Sequence, residues 1–308
     1  MIARDVPASS LPGFRRWRVA VLLAVLAAGV VVWQGAQRQR GDPKVGLRLN
    51  PAPASGNDAA ATTRPAPAFA STGRIRVASF NIQSGRGLDD RQDLSRTARL
   101  LGSFDLIGLN EVQGHTLRFR APPNQAEELA GLLGMPWLFA ASERRWWRDD
   151  FGNGLLCTLP VAHWSIQPLP GARESGFRNL IHARVRLDES TTLNVLVTHL
   201  DRTTDRDMQL QAVAAAFLSL SEPAILMGDL NSRGGEPGLA TLLLGQAGVV
   251  DPIGDTPRLA SKERIDWILT RGLAPIDGGA VISPASDHPM VWAELELPRP
   301  PAVERPGD

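Results

Sequence analysis

The stretch AILMGDLNS at 224–232 decides how this chain is read. Four apolar residues and a glycine run without interruption into Asp229, and Asn231 follows two positions later. A short apolar run with no alternation is the signature of a strand covered on both faces, as in sheets stacked on one another or sandwiched by helices. The polar end is where side chains leave the core. Spacing i, i+2 sends Asp229 and Asn231 to one side of an extended chain. Taken alone, a strand-terminal Asp or Asn is more often a turn former or helix cap than a ligand.

The same pattern recurs outward from this stretch. Asn81 ends RIRVASFN (74–81), Glu111 ends DLIGLNE (105–111), His199 ends TTLNVLVTH (191–199), and Asp287 with His288 precedes MVWAELEL (290–297). Further strands are expected at GLLCTL (154–159), NLIHARVRL (179–187) and RIDWILT (264–270), with helices at 94–101, 125–133 and 205–220. Asp188 to Ser190 supply turn residues for a hairpin. In α/β sheets, ligands and catalytic groups gather beyond the strand ends. One site assembled from these strand ends is the economical expectation.

Composition narrows the class. The 308 residues are 43% hydrophobic and 21% charged, which fits one sizeable α/β domain with accessory segments. Residues 1–72 carry nine Lys/Arg against three Asp/Glu and the tail 299–308 two of each, which leaves 22 against 27 in the body. A mildly acidic body argues against a protein that grips nucleic acid through a basic face. Cys157 is the one cysteine, so neither an intramolecular disulfide nor a cysteine zinc cluster is available, and its apolar setting predicts a buried structural thiol.

Ahead of the domain, Arg15, Arg16 and Arg18 precede an uncharged stretch from Val19 to Gln37. This predicts a signal anchor over 19–37 behind a basic segment 1–18, with Trp17 and Trp33 at the interfaces and the body exported; secretion after signal cleavage is the alternative. Residues 38–72, rich in Pro, Ala, Ser and Thr, read as a semi-extended linker holding the body off a surface, and 299–308 as a disordered tail. The folded domain is expected at 73–298.

The set FNIQSG, LNEV, THLD, GDLNS, RIDWIL and SDHPMV resembles the endonuclease/exonuclease/phosphatase superfamily over roughly residues 74–297. The resemblance implies a four-layer sandwich of two packed mixed β-sheets flanked by helices, and metal-dependent hydrolysis of phosphoesters. Glu111 is then the principal ligand for Mg2+, with Mn2+ as the alternative, and Asn81 is a ligand or orienter beside it; oxygen donors suit a hard cation. Asp229 orients or deprotonates the attacking water, although a histidine is the competing base, and Asn231 holds that water or a phosphoryl oxygen. His199 and His288 donate to the non-bridging oxygens, Asp266 pairs with one of them, His288 first, and Asp287 is a further ligand or a partner of one.

Two weaker expectations belong to the same site. Asn153 in FGNGLL (151–156) either faces the phosphate or makes an Asn-Gly turn, and Arg178 reaches the phosphate from the strand after ESGF (174–177). The basic-aromatic ERRWWRDD (143–150) either stacks a base or headgroup or packs its tryptophans inward. Gln83 replaces the Asp of the abasic-site nucleases, and the chain has no tyrosine, so the resemblance is to the His-containing deoxyribonuclease I, sphingomyelinase and phosphatase branches. The substrate is then a lipid headgroup, a small phosphodiester or a nucleic acid, and no protein partner is inferred. A nuclease in the narrow sense and a catalytically idle membrane-tethered binding module are the competing readings. The second usually goes with loss of one of Glu111, Asp229, Asp266 or His288, and all four are present.

Overall fold

The computed structural model describes residues 12–36, 39–53, 73–114, 124–144, 150–171, 176–244, 248–255 and 263–298, without the side chains of 12–16 and 31–39. Helix α1 covers Pro12–Ala36. Thirteen strands follow among the described residues: β1 Gln39–Arg40, β2 Lys44–Gly46, β3 Arg74–Asn81, β4 Leu106–Gln113, β5 Trp137–Arg144, β6 Phe151–Cys157, β7 Val161–Pro168, β8 Asn179–Arg186, β9 Thr192–His199, β10 Ala224–Asp229, β11 Asp266–Arg271, β12 Ala274–Val281 and β13 Met290–Glu296. Four further helices are α2 Leu94–Leu101, α3 Gln125–Leu133, α4 Arg206–Ser219 and α5 Pro237–Leu243. The strands form one sheet in the order β1-β5-β6-β4-β3-β13-β12 and a second in the order β11-β10-β9-β8-β7-β2.

Both sheets mix parallel and antiparallel pairs. β3/β4 and β9/β10 are parallel, and the remaining neighbours are antiparallel. The inner faces share one core, in which Val77, Leu106 and Val291 of the first sheet meet Val197, Ile225, Met227 and Ile268 of the second. Ala78, Phe80 and Ile107 pack outward under α2 and α3, and Leu196, Leu226 and Trp267 under α4 and α5. Two sheets flanked by helices follow from strands apolar on both faces. Asp93 caps α2 by accepting from Ser95 N at 2.9 Å, and Asn124 caps α3 by accepting from Glu127 N at 2.9 Å.

Residues 39–53 correct the expected linker. They dock on the domain as a strap: β1 pairs with β5, β2 with β7, and Asn50 bridges Trp137, so both sheets gain an edge from one segment. Pairing by main chain needs no hydrophobic periodicity, which is why the composition reads as linker. Residues 54–72 and 299–308 lie outside the described residues. So do 145–149, which hold most of the basic-aromatic loop. Among the described residues no helix is both long and apolar enough to cross a membrane; the described side chains of α1 are those of 17–30. Cys157 is buried, and burial pushes its thiol up to about 12.

Candidate active site

Strand register brings the polar ends together. Asn81 lies beside Asn110 in the first sheet, and Asp229 lies between His199 and Asp266 in the second. Glu111 is turned out of its strand by a β-bulge between Leu109 and Val112, where its φ is 55°. Asn231 has φ 47°. Left-handed backbone at non-glycine residues costs on the order of 1 kcal/mol each and clusters where function holds it. Gly228, ahead of Asp229, has φ 140°, and a Cβ there would stand 1.8 Å from Thr198 O, so only glycine lets β9 and β10 close at this point.

Asn81 is the hub. Its Nδ2 donates to Glu111 Oε1 and to Asp229 Oδ2, each at 3.1 Å, and lies 3.5 Å from His288 Nε2. Its Oδ1 accepts from Gln83 N at 3.1 Å, which fixes the amide this way round. Asn81 is thus placed as an orienter of the two carboxylates. His288 Nδ1 is 2.8 Å from Asp266 Oδ2, and its Nε2 lies 3.9 Å from Asp229 Oδ2. His199 Nε2 is 3.4 Å from the same Asp229 oxygen but is not aligned for a hydrogen bond, and both its ring nitrogens are buried without a partner.

The charges are out of balance in this buried pocket. Burial, then the charge of Asp266, pushes Asp229 up to about 7. Burial raises Asp266 against the opposing pull of its His288 hydrogen bond, and Asp266 Oδ1 is buried with no partner. Burial works against protonation of His288, but the Asp266 hydrogen bond and the charges of Asp266, Asp229 and Asp287 carry it to about 9. His199 goes the other way: burial, with Arg178, His288 and Arg202 adding to it, holds it well below 6.5. One histidine is therefore an imidazolium at neutral pH and the other a neutral imidazole.

Other expected residues sit at different depths. Asn231 N donates to Asp229 Oδ1 and its Nδ2 to Leu200 O, both at 2.9 Å, so its Oδ1 is the atom left to hold a water. Arg178 faces Asp229, Glu111, Asp201 and Glu143, and its Nε is buried without a partner. Asp287 stands exposed at the rim, outside the cluster of Asp229, Asp266 and His288, whose donor atoms lie within 4.8 Å of one another. Asn153 lies beneath the surface: it accepts from Asn110 Nδ2 and donates to Asn179 Oδ1, both at 2.8 Å.

Sequence reasoning missed Asn110 as a functional position. Its Oδ1 accepts from Asp229 N at 2.9 Å and its Nδ2 also reaches Thr198 O at 3.0 Å, so it links the two sheets directly under the site. A polar side chain inside the otherwise apolar LIGLNEV was the available signal. Arg202, 3.8 Å from Glu111, was also missed, although it follows the THLD motif directly.

The donor set suits a hard dication. Glu111, Asp229 and Asp266 crowd carboxylate charge that burial leaves under-compensated, and Asp266 Oδ1 is an orphan. His288 holds its proton against Asp266, so the oxygens on the Glu111 side, rather than this imidazole, are the better ligands.

The sequence matches the family described as "Endonuclease/Exonuclease/phosphatase family" over residues 78–288. Among curated proteins, no sequence matches it significantly. Solved structures do. The endonuclease/exonuclease/phosphatase from Beutenbergia cavernae is 20% identical with a TM-score of 0.60, over 73% of this chain and 72% of that one. A mannosyl-6-phosphatase from Bacteroides thetaiotaomicron gives 18% and 0.54, over 72% and 99%. The catalytic domain of human Nocturnin gives 17% and 0.52, over 72% and 94%. At such identities the likeness is one of fold.

Proposed function

The chain belongs to the endonuclease/exonuclease/phosphatase family, and from that premise we propose that it is a membrane-anchored, Mg2+-dependent phosphoester hydrolase that drives in-line attack of water on phosphorus. One observation carries the reading. A single amide, Asn81 Nδ2, bridges Glu111 and Asp229 while the protonated His288–Asp266 pair stands alongside. Base, acid and metal-binding oxygens thus converge within one pocket.

Glu111, oriented by Asn81, would hold the dication, which would supply Lewis acidity at a phosphoryl oxygen and ease departure of the leaving group. The chain's own residues do the rest. Asp229, poised near 7, takes a proton from the water as its oxygen bonds to phosphorus and the phosphorus–leaving-group bond breaks. Asn231 holds that water through Oδ1. His288 donates from Nε2 to a non-bridging oxygen as negative charge develops, because Nδ1 is tied to Asp266. Neutral His199 provides a second N–H beside Asp229, and Arg178 a fixed positive charge.

Anchoring rests on α1. Trp17, Val19, Val21, Leu22, Leu23, Val25, Leu26 and Val30 are all exposed large hydrophobic residues on this one helix. Apolar surface this dense calls for a non-aqueous partner. The acidic body disfavours the nuclease reading.

The test is hydrolysis by the full chain in detergent, with Mg2+ or EDTA, against bis(p-nitrophenyl) phosphate, sugar phosphates, phospholipid and DNA. Turnover that needs the dication and is lost in Asp229→Ala supports the reading. Magnesium binding without turnover on any of them, or turnover that survives EDTA, overturns it.

A further inference from the structure

The strap runs from one end of the sandwich to the other, and the end that continues into α1 lies at the active-site mouth. Arg40 pairs with Glu143 on β5, and Glu143 faces Phe151 on β6, two residues before Asn153. The Arg40 guanidinium stacks 5.2 Å from the centre of the Phe177 ring and donates to Gly171 O at 2.9 Å. Phe177 is the chain neighbour of Arg178, which faces Asp229 and Glu111. From there the strap descends. β2 pairs with 164–166 of β7, residues 47–49 border a cavity of about 530 Å³ with 158–162 and Arg186, and Asn50 exchanges two 2.9 Å hydrogen bonds with Trp137 at the far end.

Its seating is tight. A Cβ on Gly41 would fall 1.8 Å from Ala141 O, and one on Gly46 would fall 2.4 Å from the Trp164 ring. Gly41 N donates to Ser142 O at 2.9 Å, Asp42 pairs with Arg144 at 3.3 Å, and Trp164 Nε1 donates to Arg48 O at 2.8 Å. Both glycines are therefore required for docking, and neither touches a site residue.

Four residues lead from Ala36, the last of α1, to Arg40. Fully extended, they span at most roughly 14 Å. Resting on the reading of α1 as the anchor, we propose that the strap is an orienting device that seats the mouth on the bilayer surface and presents the site to phosphoesters carried in the headgroup layer. Had the whole segment 37–72 been a flexible coil, its ends would lie roughly 33 Å apart on average and the domain would turn freely. Arg202, two-thirds exposed beside Glu111, adds rim charge suited to anionic headgroups.

The experiment uses the full chain reconstituted in phosphatidylcholine–phosphatidylglycerol vesicles that carry a lipid with a spin-labelled headgroup. Cys157 is buried, so a single added cysteine takes a fluorophore selectively. Thr204→Cys marks the mouth and Ser190→Cys the hairpin at the opposite end, both exposed. Headgroup quenching several-fold stronger at 204 than at 190, and equalised in Gly41→Val/Gly46→Val, is the expected result. Arg40→Ala/Asp42→Ala serves as the milder release should the glycine pair fail to fold. Equal quenching in a chain that floats with the vesicles overturns the orientation, as does a difference that survives release of the strap. A chain that does not float overturns the anchor itself, and the orientation with it.

Discussion

The two ends of the sandwich follow opposite rules. At the far end, the β8–β9 hairpin satisfies its own polar groups: Asp188 Oδ1 accepts from Ser190 N, Ser190 Oγ and Thr191 N at 2.6–2.9 Å. At the mouth, Glu111 and Asn231 sit at left-handed φ, His199 leaves both nitrogens unpaired, and Asp266 leaves an oxygen unpaired. The same strands connect both ends, so the difference is not one of scaffold. Local inconsistencies that folding alone would remove are kept where a ligand completes them.

The sharpest way to break that comparison is to remove one acid from each end. Asp229→Ala is expected to lower turnover by about 10³-fold or more, since it deletes the base and the partner of Asn81, while the fold persists. His288→Ala should follow at about 10²–10³-fold through loss of the donor to the phosphoryl oxygen. Steady-state kinetics with circular dichroism checks both. If either variant retains wild-type kcat, the mouth's irregularities are not catalytic and the contrast loses its meaning.

Stability against pH sharpens it further. The Asp229 carboxyl titrates near 7 in the folded chain against 3.8 unfolded, so between these values the folded state keeps a proton that the unfolded chain has released. The metal-free protein therefore loses stability as pH rises from about 4 to about 7. His288 continues the trend, because its raised value gives stability that is complete below 6.5 and lost through about 9. Melts in EDTA should show this decline, Asp229→Asn should remove its acidic part, and Mg2+ should oppose it by favouring the deprotonated carboxylates. An Asp229→Asn profile identical to wild type would show that the pocket is not charge-frustrated.

Between the two ends lies a buried amide chain whose expected effect is smaller. Asn153→Ala would strand Asn179 Oδ1 and take from Asn110 Nδ2 the shortest of its hydrogen bonds, while its bond to Thr198 O remains, at a cost of about 1–3 kcal/mol. Because Asn110 also receives Asp229 N, turnover should fall along with the melting temperature. A Tm loss with unchanged kcat would make the chain a packing feature only.

How legible these regions were in the sequence tracks how each part is encoded. α2 and α3 were read to the residue, and the strands ending in Asn81, Glu111, His199 and Asp229 to within one or two, since apolar runs and caps are local signals. β5, β7 and β12 were missed: their sequences alternate weakly, with half-buried Trp137 and His163 and exposed Asp277 among them. The strap was missed because main-chain pairing leaves no pattern in side chains. For the site, the strand-terminal rule brought Asn81, Glu111, His199, Asp229 and His288 together and the family resemblance added Asp266, but depth was invisible. Asn153 lies beneath the pocket and Asp287 outside it, because strand register and a bulge decide depth, and neither is written locally.

The smallest expected effect tests the quiet end. Asp188→Ala removes three short hydrogen bonds from an exposed turn, yet none of its partners reaches the β9 terminus that carries His199. The hairpin lies a whole strand length from the mouth, and the core between them is closely packed, so the loss stays local. Turnover should hold within about twofold, as for surface changes away from any buried or catalytic feature. Matched kinetics beside Asp229→Ala check it. A large loss of activity here would mean that strain at the turn travels along β8 and β9 to His199, and that the two ends form one mechanical unit.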